Sequence, residues 1–150
     1  MGQSISVDLA YGVNIGYDDD GWNFDGWPDV HEHLGFDEEE TEGEWLEMAL
    51  LTFLGHENVL DMGYRESKAA IEECPLSIVH YGYQSGGLLL TIGSSSVSGI
   101  FSVQSIDLPE HPSVEDARVL VDFLAWLEAR GLVLKDKARN PGWILAGSYG

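Results

Sequence analysis

The sequence predicts an α+β fold, a single domain in which a mostly antiparallel sheet carries two or three helices on one face. Three observations lead there. Residues 5–15 alternate apolar and polar, three β-like segments follow one another between Leu76 and Ile106, and helical periodicity returns in two stretches with recognisable starts and stops. With 150 residues, 44% of them hydrophobic, the chain is long enough to bury one real core, and nothing along it marks a domain boundary.

The first element is a strand in which Ile5, Val7, Leu9, Tyr11, Val13 and Ile15 occupy the odd positions, with Ser, Asp, Ala, Gly and Asn between them. An acidic, loop-rich segment over residues 17–44 follows. Within it Asp20-Gly21-Trp22 is echoed by Asp25-Gly26-Trp27, and Pro28 comes next, punctuation that belongs to loops rather than helices. Thr41 and Glu44 have the spacing of a capping box, ahead of a helix carrying Trp45, Met48, Ala49, Leu51 and Leu54 and stopped by Gly55. A shorter helix spans Arg65 to Cys74, ended by Pro75. Strands are then expected at 76–83, 88–92 and 100–106, joined as hairpins through Gly86-Gly87 and, more loosely, through the Gly93 to Gly99 run. Ser113, three residues before Asp116, opens the clearest helix, with Ala117, Leu120, Val121, Leu124 and Leu127 at helical spacing up to Gly131. After Lys135, Lys137 and Arg139 the chain turns at Asn140-Pro141-Gly142 and finishes as a strand from Trp143 to Tyr149.

The charge is strongly one-sided. Against 26 Asp and Glu stand 7 Lys and Arg, a formal net charge of -19. It is also local: the residues before Arg65 hold 16 acids and no Lys or Arg, and 13 of those acids lie between Asp18 and Glu47. So negative a surface repels phosphates and anionic headgroups, which excludes direct nucleic-acid or membrane-surface binding. The lone Cys74 closes no internal disulfide, and neither a secretory signal nor a membrane-length apolar run is present. A cytoplasmic, reduced setting is expected.

Few catalytic constellations can be assembled. His31-Glu32-His33, with Asp29 and Asp37 near, offers nitrogen and oxygen donors to zinc or another divalent ion, but a two-residue separation shares a face only in a strand. His31 and His33 are therefore the alternative, metal-binding reading. Asp18, Asp20 and Asp25 lack the EF-hand pattern, since Trp22 and Asn23 stand where an oxygen ligand and a glycine are needed. The Ser94 to Ser96 run lacks the spacing of a nucleophile elbow. Cys74 follows Glu72 and Glu73, which raise a thiol pKa, and no glycine-rich stretch leads into a phosphate-binding lysine. His56, His80 and His111 are isolated. No cofactor and no catalytic residue are expected.

Aromatic rings inside a run of carboxylates either tuck back onto the sheet or anchor an interface within a negative field. The second alternative describes a protein that captures a basic surface. Duplex DNA presents one charge per roughly 1.7 Å of axis, so a dense carboxylate array can occupy the Lys and Arg groups that a nucleic-acid enzyme uses for phosphates. The partner-binding face expected on this ground consists of Asp18, Asp19, Asp20, Trp22, Phe24, Asp25, Trp27, Asp29, Asp37, Glu38, Glu39, Glu40, Glu42 and Glu44.

The opening Ser6-Val-Asp-Leu-Ala-Tyr-Gly12 and the closing Asn140-Pro-Gly-Trp-Ile-Leu-Ala-Gly-Ser-Tyr-Gly150 resemble small acidic accessory proteins of bacteriophages. That resemblance implies an inhibitor of host defence, of the anti-CRISPR or anti-restriction type, acting in the cytoplasm of an infected bacterium on a basic, nucleic-acid-processing host protein. It brings no catalytic residue with it. An immunity protein against a nuclease toxin, a metal enzyme built on His31 and His33, and a phage structural or assembly protein are the competing expectations.

Overall fold

The alternating N-terminal segment forms the strand around which the sheet is assembled. In the computed structural model, which describes residues 5–18, 21–25, 42–81, 87–92, 97–100 and 111–149, this strand is β1 (Ile5–Asn14). On one side β1 pairs along its length with β9 (Gly142–Tyr149), from Ile5 opposite Tyr149 to Gly12 opposite Gly142. On the other side its C-terminal end pairs with β6 (Gly87–Ile92) and its N-terminal end with β7 (Val97–Ile100), while β5 (Leu76–Tyr81) lies outside β6. All four pairings are antiparallel, giving a five-stranded sheet. With three principal helices, α1 (Glu42–Phe53), α2 (Tyr64–Glu72) and α3 (Val114–Ala129), the protein is a small α+β domain.

β5 and β6 form the expected hairpin, but β6 and β7 do not. Both run along the same edge of β1: Gly12 faces Thr91 and Leu9 faces Val97, so β1 advances three residues while its partner advances six. Residues 93–96 of the expected link lie outside the described residues, as do residues 101–106 of the strand expected at 100–106. Gly12 is required where β1 meets β6, because a Cβ there would run into the Leu90 carbonyl oxygen.

One face of the sheet carries the core. Val13 of β1 and Ile15 just after it, with Leu88, Leu90 and Ile92 from β6, pack in one cluster with Leu46, Ala49 and Leu50 of α1 and Leu120, Phe123, Leu124 and Leu127 of α3. Within these helices Ala49, Leu51, Leu120, Leu124 and Leu127 are buried as the periodicity expects, and two positions depart from it. Val121 is half exposed and Leu54 faces solvent, whereas Phe123 and Leu50 are fully buried. The helix boundaries follow the sequence closely. The Ser113 Oγ accepts the Asp116 N–H at the start of α3. Gly55 and Gly131, both at φ 95°, end α1 and α3 alike. In each case the glycine N–H and the one after it return to carbonyls of the last turn, which satisfies groups that the helix leaves open.

The sequence pattern does not announce a 3-10 turn at Val59–Asp61 or a one-turn helix, α4, at Asp136–Arg139. Nor does it show that the start of the acidic segment is built into strands. These are β2 (Tyr17–Asp18) with β3 (Gly21–Trp22), and β4 (Phe24–Asp25) with β8 (Val133–Leu134). No helix among the described residues is long and apolar enough to cross a membrane.

Candidate functional site

The acidic segment leaves the sheet directly after β1, where the Ile15 and Gly16 N–H groups both donate to the Leu88 carbonyl. β2 and β3 then pair with Tyr17 opposite Trp22 and Asp18 opposite Gly21. That register places Asp18 at the end of β2 directly opposite the start of β3. Asp19 and Asp20 themselves lie outside the described residues.

After β3 the chain is fastened to residues far along the sequence. The Asn23 N–H donates to the Gly16 carbonyl and the Lys135 N–H to the Asn23 carbonyl, and β4 pairs Phe24 with Leu134 and Asp25 with Val133. Phe24 is 6% exposed and belongs to the central core. This corrects its place among the partner-binding residues: a ring packed with Leu134 and Ala138 in the same cluster is an anchor for the segment, not a contact offered to a partner. The segment's other end is held by α1, whose first turn contains Glu42 and Glu44, positions at which carboxylates are favourable to the helix dipole. Between Asp25 and Glu42, Trp27, Asp29, Asp37, Glu38, Glu39 and Glu40 lie outside the described residues, as do His31 and His33.

The basic residues nearest the root of this segment follow β8. Among them Arg139 Nε bonds Glu128 Oε1 at 2.7 Å, and its Nη1 lies 3.6 Å from Asp136, so its charge is matched within its own part of the chain. These pairs are exposed and add little to stability.

No catalytic arrangement emerges from the side chains described. Among them no three His, Cys, Asp or Glu groups cluster as a metal would require. Burial pushes the Cys74 thiol above its ordinary value, the Asp116 carboxylate adds to this, and the hydrogen bond from the Leu76 N–H works in the opposite direction. The direction matches the sequence expectation. Its causes, however, are burial and a carboxylate from α3 rather than the adjoining Glu72 and Glu73. A thiol so placed stays protonated at neutral pH and is a poor nucleophile.

No protein family, curated protein or solved structure matches the chain. The two segments on which the sequence expectation of a phage accessory protein rests fall largely in β1 and β9, which pair with each other in the sheet. They are scaffold.

That pairing also creates a cluster the sequence does not reveal. Tyr11 faces Trp143 across the ladder, and His111, ahead of α3, joins them, with ring centroids 4.9 Å from Tyr11 and 6.5 Å from Trp143. His111 is isolated in sequence only. The signal that would have found it is the register of β1 on β9, which no local pattern specifies.

Proposed function

We propose that the protein is a small inhibitory binding protein whose acidic segment occupies a positively charged groove of a nucleic-acid-processing partner, in the manner of a phage anti-defence protein. The observation that supports this most is the charge partition. Sixteen carboxylates precede the first Lys or Arg, and the densest stretch of them is spanned between two fastenings, β4 on β8 and the start of α1. A segment held at both ends presents its charges from a fixed base, which lowers the entropy lost on binding compared with a free tail. Opposite charge steers the encounter, and each Lys or Arg so occupied is withdrawn from phosphate binding.

The partner-binding residues proposed are Asp18, Asp19, Asp20, Trp22, Asp25, Trp27, Asp29, Asp37, Glu38, Glu39, Glu40, Glu42 and Glu44, with Phe24 removed to the core. The test is capture of a partner from bacterial lysate at low salt, followed by elution with rising salt and, separately, with excess duplex DNA. The expected result is release by both, with loss of capture when Asp18, Asp19, Asp20, Glu38, Glu39 and Glu40 are changed to Asn or Gln. Unchanged retention and an unchanged salt dependence in that variant would refute the proposal. An immunity protein against a nuclease toxin uses the same chemistry, and the captured partner's identity separates the two.

A further inference from the structure

Between α1 and α2 a groove of about 240 Å³ opens on the surface, lined by Glu47 of α1 and by Tyr64, Ser67, Lys68, Ile71 and Glu72 of α2. The α2 residues recur at three- and four-residue spacing, so they share one face of that helix. We propose that this groove takes an arginine side chain from a basic protein partner, with Tyr64 as the ring on which the guanidinium stacks. The inference rests on the reading of the protein as a binder of a basic surface, and adds to it a second place of contact beyond the acidic segment at 17–44.

The fold leaves Tyr64 outward. It is the first residue of α2, after Gly63 in extended backbone, and it is 80% exposed. A helix of 9 residues is marginal on its own in water, and α2 has no fully buried residue; Ile71, partly buried against the core cluster, docks it. The ring already has a cation of this chain beside it. Lys68, one turn further along, sets its Nζ 6.0 Å from the Tyr64 ring centroid. That distance is the outer limit of a cation–π contact, so an incoming cation displaces the ammonium at little cost.

Charge and shape select the occupant. From Glu42 to Cys74 the chain carries eight acids and two bases, and this excess reaches the groove through Glu47 and Glu72, one exposed carboxylate from each helix. A cation arriving between the helices is attracted from both sides. Arginine suits the groove better than lysine, because its guanidinium is planar, stacks on an aromatic face and presents several donors to carboxylates at once, whereas an ammonium is compact and strongly hydrated. The volume lies below the range of roughly 300–1,000 Å³ typical of small-molecule pockets, which fits a single side chain.

Lys68 opposes an incoming cation, and that supplies the test. Isotope-labelled full-length protein is titrated with hexa-arginine, hexalysine and hexacitrulline peptides, following the backbone amides of α2 by NMR. The expected result is saturable shifts along α2 with hexa-arginine, weaker ones with hexalysine and none with hexacitrulline, which keeps the shape of arginine without its charge. Tyr64→Ala should weaken hexa-arginine binding about two- to fivefold, Tyr64→Phe should leave it as in wild type, and Lys68→Ala should strengthen it by a similar factor. All three variants should keep the wild-type unfolding midpoint, since both side chains are exposed. The variant with Asp18, Asp19, Asp20, Glu38, Glu39 and Glu40 changed to Asn or Gln separates the groove from the acidic segment. If α2 no longer shifts in it, the groove proposal fails and the acidic-segment reading stands. If α2 shifts as before and overall affinity is also unchanged, the groove stands and the acidic-segment reading fails. The proposal is overturned as well if hexacitrulline binds as tightly as hexa-arginine, if Tyr64→Ala or Lys68→Ala leaves the affinity unchanged, or if α2 shifts with protein concentration alone, which identifies a second copy as the occupant.

Discussion

The part of the chain before Arg65 and the part after it differ sharply in charge and not at all in their dependence on one core. The first holds 16 of the 26 acids and none of the bases. Yet Val13, Ile15, Leu46 and Leu50 from that part pack in the same cluster as Leu90, Phe123 and Leu127 from the other, and β1 lies between β9 and β6. The difference teaches where the work is divided. Burial of apolar surface is shared by both parts, whereas the carboxylates, which repel one another and oppose compaction, are concentrated in one stretch of the sequence.

The largest expected effect comes from cutting the tie between the two parts. Phe24→Ala removes a buried ring that belongs to the acidic segment by sequence and to the core by position, at a cost of about 3–5 kcal/mol. Chemical denaturation measures it. Loss of stability of that size is the outcome expected of an anchor; a variant with wild-type stability that fails to capture a partner would return Phe24 to the binding face and break the division drawn above.

Two glycines allow a matched comparison. Gly55 ends α1 in the acidic part and Gly131 ends α3 in the other, with the same φ of 95° and the same pair of closing hydrogen bonds. Alanine at either position is strained by the backbone alone and should cost about 1 kcal/mol. Their wider consequences should differ. Gly131 leads through buried Leu132 into β8, which holds β4, whereas the chain after Gly55 is exposed. Gly131→Ala should therefore weaken partner capture as well as stability, and Gly55→Ala stability only. Equal effects on capture would show that the β4–β8 fastening does not govern how the carboxylates are presented.

The elements with a period or a cap were legible in the sequence. β1 shows its alternation, and Ser113, Gly55 and Gly131 mark helix ends through groups that act within a few residues. What escaped depends on partners far away along the chain. Two-residue strands have no period, so β2, β3, β4 and β8 exist only because of their pairing. Phe24 has a composition around it like that of Trp22 and Trp27, and only Leu134 and its neighbours decide that it goes inside. The Ser and Gly residues between β6 and β7 suit a hairpin or an interrupted edge equally well, and the register on β1 makes the choice. Of the candidate site, the sequence located the charge and its extent. It did not show that β4 ties the start of that charge to β8, nor that His111 meets Tyr11 and Trp143.

The smallest expected effect concerns pH, and it belongs to the part of the chain with little net charge. Cys74 Sγ accepts the Leu76 N–H at 3.4 Å at the start of β5, and burial together with the Asp116 carboxylate raises its pKa above the ordinary 9.0. A group whose folded-state pKa is raised binds its proton more tightly in the folded protein than in the unfolded chain. The stability linked to that proton is complete below the unfolded value, and it declines as pH rises through the thiol range toward the folded value. Wild-type protein should therefore lose stability above about pH 9 in a way that Cys74→Ala does not, once the constant cost of the lost side chain is subtracted. Denaturant midpoints measured across neutral to alkaline pH give the two slopes. Parallel slopes would mean that the thiolate is as well accommodated in the fold as in water.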